Sequence, residues 1–245
     1  MSLQRVSVGA PSFAVPAAWP ELVKWVALVA MVADHVNKFV YHGALPGVYQ
    51  FGRISMPLFG AVLAFNLARF NAITSGVFMR TLLRLCVFGA LTTPVFVALV
   101  GWWPLNFMFT LALSTAVIWL AEAGVGYGIA AAVTLFILGG FFVEFWWPGV
   151  AFCIAVWWFC KRPSWKRALA PLLACCGLTA INGLANATVN GVGVLTMNAD
   201  YWALASFPVM SALLWVDLDI PRSRYFFYVF YPSHLVLLWI WSRYS

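Results

Sequence analysis

From Leu22 to Trp241 the sequence is a succession of apolar runs separated by connections of only a few residues. Nothing else constrains the fold as strongly, because an apolar run of about 20 residues is the length of an α-helix that crosses a bilayer. Runs lie near residues 22–41, 48–68, 81–100, 105–121, 125–143, 147–160, 168–186, 201–216 and 225–242. They take up nearly the whole chain and leave no room for a soluble domain. The short alternating segments of a porin-like barrel are absent. With 64% hydrophobic and 9% charged residues and a mean hydropathy of +0.92, a soluble globular class is excluded. The expected fold is all-α: a polytopic transmembrane helical bundle of about nine spans, within a range of about eight to ten. The sixth and eighth runs are short enough to be re-entrant. The whole of 1–245 reads as a single integral membrane domain.

Residues 1–20 contain Pro11, Pro16 and Pro20 and no continuous apolar core. They are therefore no signal peptide and read as a cytoplasmic tail. The formal net charge of +7 resides in the short connections rather than in one patch. That placement follows the positive-inside rule and argues against a nucleic-acid partner. With the N-terminus cytoplasmic, 11 of the 14 Lys and Arg residues fall at the inner side, leaving Lys38, Arg53 and Arg243 elsewhere. The opposite orientation would place those eleven outside. The five cysteines lie in apolar runs without metal-ligand or CxxC spacing and read as inert buried thiols. Trp102, Trp103, Trp146, Trp147, Trp239 and Trp241 stand near predicted span ends, as interfacial aromatics do.

The exceptions to apolarity carry the functional argument. The first run, KWVALVAMVADHVNK (24–38), holds Asp34 and His35 in its second half, the second holds Arg53 and the last holds His234. Ionisable groups inside a membrane are costly and usually mark function. At about 1.5 Å per helical residue, His35 lies roughly 20 Å, Arg53 roughly 22 Å and His234 roughly 14 Å above the inner boundary. The three are within one or two helical turns of a common depth. Adjacent helical residues point about 100° apart, so Asp34 does not orient His35. Arg53 on the next helix is its more natural partner, with Lys38 at i+4 as a competitor. A purely structural ion pair and two satisfied core histidines are the bland alternatives. No third ligand stands at a recognisable spacing, so no metal is expected.

Asn106, Thr110 and Ser114 recur every four residues on one face, as do Thr179, Asn182 and Asn186. Such stripes usually supply interhelical hydrogen bonds. Asn106 is the member at the outer mouth and the one set aside as a substrate contact. The Asn186-Ala187-Thr188 sequon is discounted. Glu144 lies at the outer interface, where a solvated carboxylate costs little. Arg69, Arg80 and Arg84 cluster at the inner ends of two runs; topology accounts for them, and they also suit an anionic cytosolic ligand gripped through paired hydrogen bonds.

Five blocks of this sequence resemble the TraX family of membrane acetyltransferases. They are KWVALVAMVADH (24–35), GRISMPLF (52–59) followed by FNLAR (65–69), RTLLRL (80–85), LNFMFTLAL (105–113) and FFYVFYPSHLVLLWI (226–240). They keep the family's order, span the chain and include both histidines. Residues 123–220 carry no matching block, and EFWWPGVAF (144–152) stands where relatives more often have Glu followed by Tyr-Gly. The resemblance implies a multi-pass protein of the bacterial inner membrane. It implies transfer of acetyl from cytosolic acetyl-CoA to the N-terminal amine of a pilin subunit. It would make His35, Asp34, Arg53 and His234 the catalytic group, with His35 as general base. Arg69, Arg80 and Arg84 would hold the CoA phosphates, and Asn106, Tyr231 and Glu144 would meet the acceptor. Three other readings stay open: O-acetylation of a glycan or lipid, proton-coupled transport with Asp34, His35 and His234 as a relay, and an inactive scaffold of the pilus machinery, against which the intact Asp34, His35 and Arg53 count. No internal repeat and no interrupted helix is visible in the sequence, which counts against transport.

Overall fold

A computed structural model describes residues 3–5, 14–124, 126–190, 199–223 and 225–244, without the side chains of 3–5, 14, 181–190 and 199–200. Asn182 and the sequon at Asn186 lie outside the described side chains. At the N-terminus a small antiparallel pair joins β1 (Leu3–Arg5) to β2 (Ala14–Pro16). All else that is regular is helical.

Helix α1 (Trp19–Phe39) begins with Pro20 in its first turn, where a missing N–H costs nothing, and with Glu21, whose charge suits the helix N-terminus. Lys38 occupies the last turn, the complementary arrangement. The chain then reverses through His42 and Gly43, both at positive φ. Asn37 closes that reversal: its side-chain oxygen accepts from Leu45 N–H (3.0 Å) and its carbonyl from Gly43 N–H (2.8 Å).

The second run differs from the continuous helix expected for it. It forms α2 (Pro46–Gly52) and α3 (Ser55–Leu67), interrupted at Arg53 and Ile54. Pro57 has no N–H to give to the carbonyl of Arg53, and the bonds at the break tighten to Arg53 N–Gln50 O and Ile54 N–Phe51 O. The expectation of uninterrupted helices is thereby corrected, at the position of a candidate site residue. The eighth run is also irregular: a 3₁₀ segment (Ala199–Ala205), a short α-helix (Ser206–Ala212) and a second 3₁₀ turn (Leu213–Trp215).

The remaining helices are α4 (Val77–Leu99), α5 (Phe107–Glu122), α6 (Gly128–Gly140), α7 (Trp146–Lys161), α8 (Trp165–Asn190) and, at the C-terminus, α10 (Phe226–Tyr244), the short Ser206–Ala212 helix being α9. Helix α3 lies between α1 and α7, α5 packs on α4, α6 and α7, and α10 closes against α4 and α1. The main core, which includes Leu28, Met31, Met56, Leu85, Phe152 and Leu235, forms where these helices meet. The outward faces are apolar too: Leu83, Leu91, Ile129, Leu138 and Leu237 are all exposed. Water would make such a surface an aggregation hazard, whereas lipid chains solvate it. Pro46–Leu67 and Val77–Leu99 are each long and apolar enough to cross a bilayer. This is the build of a helical membrane protein.

Candidate active site

Asp34 and His35, consecutive on α1, diverge to different neighbours. Asp34 turns toward the break in the second run, where Arg53 Nη2 stands 2.5 Å from its Oδ1. The approach depends on Gly52: a Cβ there would collide with the Asp34 side chain. This gives the Gly-Arg of GRISMPLF a steric reason. The Arg53 guanidinium also lies over the Tyr49 ring, 4.3 Å from its centroid.

His35 turns instead toward α10. Its Nδ1 is 2.7 Å from Nε2 of His234, and the two ring planes differ by 4°. The other nitrogen of His234, Nδ1, is 3.0 Å from the carbonyl oxygen of Phe230. A carbonyl only accepts, so His234 Nδ1 carries a hydrogen. In a neutral ring its Nε2 is then the acceptor, and His35 Nδ1 is the donor to it. The chain of bonds leaves His35 Nε2 with an unprotonated lone pair. The ring of His234 is buried and stacked on Phe230, with centroids 5.3 Å apart.

A cavity of about 720 Å³ opens beside these groups. Its lining includes Asp34, His35, Lys38, Arg53, Glu144 and Tyr231. His234 is not among the lining residues, and it touches the cavity through His35 and Tyr231, which are. Glu144 comes from the connection between α6 and α7, which is bound to the start of α5. Glu144 N–H donates to Leu105 O (2.9 Å), Leu105 N–H donates to Phe142 O (2.7 Å), and Thr110 Oγ1 donates to Glu144 O (2.5 Å). Phe145 and Trp146 follow at φ of 64° and 47°, a strained geometry for side chains of that size. Burial raises the Glu144 carboxyl from its ordinary 4.5 to about 7, with Lys38 and Arg53 opposing the rise and Asp34 adding to it.

A second cavity, of about 690 Å³, opens at the opposite end of the bundle. Lys24, Arg69, Arg80, Arg84 and Arg222 line it, with Glu21 as the only carboxylate in the lining among the described residues. Glu21 is paired with Lys24 (2.7 Å). Burial and the neighbouring charge of Arg222 lower the pKa of Arg69. Arg84 lies over the Tyr225 ring, 4.8 Å from its centroid. Cations gathered against their mutual repulsion give this lining a strongly positive field. In the sequence, Lys24 and Arg222 carry no signal beyond topology. Arg222 lies 138 residues beyond Arg84, and no local spacing connects them.

The candidate residues thus divide between two cavities: Asp34, His35, Arg53 and Glu144 on one, Arg69, Arg80 and Arg84 on the other. Tyr231 lines both, as do Met31 and Phe107. Asn106 lines neither. It is 1% exposed and caps α5, accepting from Met108 N–H (3.1 Å) and donating to Gly89 O (2.9 Å). Its expected contact with substrate is corrected to a structural role. Among the described residues no three His, Cys, Asp or Glu side chains gather as a metal site.

One cavity thus gathers an imidazole, a fixed guanidinium and a partly buried carboxyl, and the other gathers five cations. A family model described as TraX protein matches residues 20–242, including the stretch 123–220 in which no block stands out by eye. Protein TraX of Escherichia coli is 29% identical over 229 residues, covering 89% of this chain and 85% of that protein. No solved structure matches the chain.

Proposed function

The chain belongs to the TraX family, and on that footing we propose that it is a membrane-embedded acetyltransferase. It takes acetyl from cytosolic acetyl-CoA and delivers it to the N-terminal amine of a pilin subunit in the bacterial inner membrane. The proposal includes nine crossings in a single unit with the N-terminus cytoplasmic. The five-cation cavity then faces the cytosol and the histidine cavity the opposite side.

The observation that carries the reading is the pair of opposed cavities, one polycationic and one holding a base with a free lone pair. CoA carries phosphates, which Lys24, Arg69, Arg80, Arg84 and Arg222 suit in number and charge. An N-terminal ammonium, with a pKa of about 8, must lose a proton before it attacks a thioester. His35 Nε2 accepts that proton, and His234 with the Phe230 carbonyl holds the ring in the tautomer that can. Glu144 offers a carboxylate to the incoming ammonium. Arg53, restrained by Asp34, faces the negative charge that builds on the thioester oxygen during attack. A second nitrogen proton leaves as the amide forms, one proton ends on the CoA sulfur, and one is released.

The test is to incubate purified protein with labelled acetyl-CoA and peptide, glycan and lipid acceptors, comparing wild type with His35→Ala. Label on the peptide α-amine, lost in the variant, supports the reading. Label on a hydroxyl replaces it by O-acetylation, for which His35 is an equally suitable base. The interrupted helix at Arg53 and the two opposed cavities also favour a second reading as a proton-coupled transporter. Proton-coupled uptake by proteoliposomes, with no acetyl-CoA binding, would replace the first reading by it.

A further inference from the structure

The two cavities meet at three side chains. Met31 of α1, Phe107 at the start of α5 and Tyr231 of α10 line both. They are 6%, 8% and 3% exposed, so little of each reaches either space. The five cations line only one side of this wall, and His35 lines only the other. If the cationic cavity holds the phosphates of an acyl-CoA and His35 serves the acceptor, the bond made and the bond broken both lie at the wall. The acyl group itself must then fit against these three residues.

The wall has one yielding member. Phe107 is held by rings on two sides: Phe145 edge-on (5.9 Å, 81°) and Phe59 tilted (5.9 Å, 53°). Tyr231 packs against His234 (5.5 Å between centroids). A shift of either would disturb the core or the histidine pair. Met31 carries no ring, and its unbranched thioether adapts to small changes of shape. A close-packed interior tolerates one added methyl group poorly and a chain of several methylenes not at all.

We propose that Met31, Phe107 and Tyr231 form an acyl-length gauge that restricts this protein to short acyl thioesters, with Met31 as the residue that sets the limit. The inference rests on the acetyltransferase reading and adds its donor specificity. In the transfer the amine nitrogen bonds to the carbonyl carbon and the carbon–sulfur bond breaks. The alkyl part of the acyl group, unchanged throughout, is what the wall measures.

The experiment is a competition. Full-length protein in nanodiscs receives an equimolar mixture of acetyl-, propionyl-, butyryl- and hexanoyl-CoA with one acceptor peptide, and the acylated products are counted by mass. A ratio of products within one preparation does not depend on the fraction that is folded. Wild type should form at least tenfold less butyryl than acetyl product. Met31→Ala should raise the butyryl-to-acetyl ratio at least tenfold, and Phe107→Leu by a smaller factor. Leu138→Ala, at an exposed side chain outside both cavities, should leave the ratio within twofold. Equal use of all four donors by wild type overturns the gauge. So does an unchanged ratio in both wall variants while wild type still transfers acetyl. Wild type that acylates nothing from any donor refutes the acetyltransferase reading itself, and the gauge with it.

Discussion

His35 and His234, 199 residues apart in the chain, meet through a single 2.7 Å bond between Nδ1 and Nε2. Its direction is decided one residue further away, by the Phe230 carbonyl that takes the other hydrogen of His234. A backbone oxygen on α10 thus determines which nitrogen of a ring on α1 is basic. In the proposed reaction this makes His35 the base and His234 its positioning residue, rather than two equal bases.

His35→Ala should abolish acetyl transfer, a loss of about 10²–10⁴-fold for a general base. His234→Phe keeps the ring volume but leaves the tautomer of His35 unset. It should lower kcat by about tenfold or more, within the range seen for groups that orient a catalytic residue, and leave the affinity for acetyl-CoA unchanged. Equal kcat in His234→Phe and wild type would remove His234 from this role.

Asp34 and Arg53 balance each other in a partly buried setting, with 17% and 18% of their side chains exposed. Removing one charge strands the other. Arg53→Ala and Asp34→Ala should each cost about 3 kcal/mol, reduced by what solvent and the cavity screen. The double variant should be more stable than the sum of the two losses predicts, measured as a double-mutant cycle in thermal melts. Gly52→Ala, which drives a methyl group into Asp34, should reproduce the activity loss of Asp34→Ala with both charges still present.

Arg222 shares a cavity with Arg69, Arg80 and Arg84. Charge-assisted hydrogen bonds contribute about 1.5–3 kcal/mol, so Arg222→Ala should weaken acetyl-CoA binding by about tenfold or more. The salt dependence of that binding should also become shallower. Arg167, a cation that lies over Trp158 and outside both cavities, is the control, and Arg167→Ala should change neither quantity.

Glu144 supplies a pH dependence whose sign follows from its environment. Burial raises its pKa to about 7 from an ordinary value of 4.5. The folded protein therefore holds this proton more tightly than the unfolded chain does. Its contribution to stability is complete below about pH 4.5 and declines as pH rises through about 7. Between pH 5 and pH 8 the melting temperature of wild type should fall more than that of Glu144→Gln. A parallel fall in the two proteins would show that Glu144 does not titrate in this window.

Much of this was legible in the residues themselves. Long apolar runs determine helices, because a backbone in lipid satisfies its hydrogen bonds internally and the helix does so within one segment. The same logic made Asp34, His35, Arg53 and His234 conspicuous, since each stands in a run that otherwise excludes charge. Divergence of Asp34 from His35 followed from the helical turn between neighbours. Family membership was readable too, from ordered blocks that include both histidines.

Tertiary structure alone decided which of these residues meet, because hydropathy and helical period are local and the rotation of one helix against another is not. Asn106 had the same polar signature as a substrate contact, yet packing beside Gly89 turned it into a cap. Arg222 had the signature of a topological cation, yet the chain returned it to Arg69. Pro57 was visible, but that the break at Arg53 would face Asp34 across Gly52 was not. The wall of Met31, Phe107 and Tyr231 left no trace in the sequence, since three apolar or aromatic residues on three helices are ordinary until the helices bring them together.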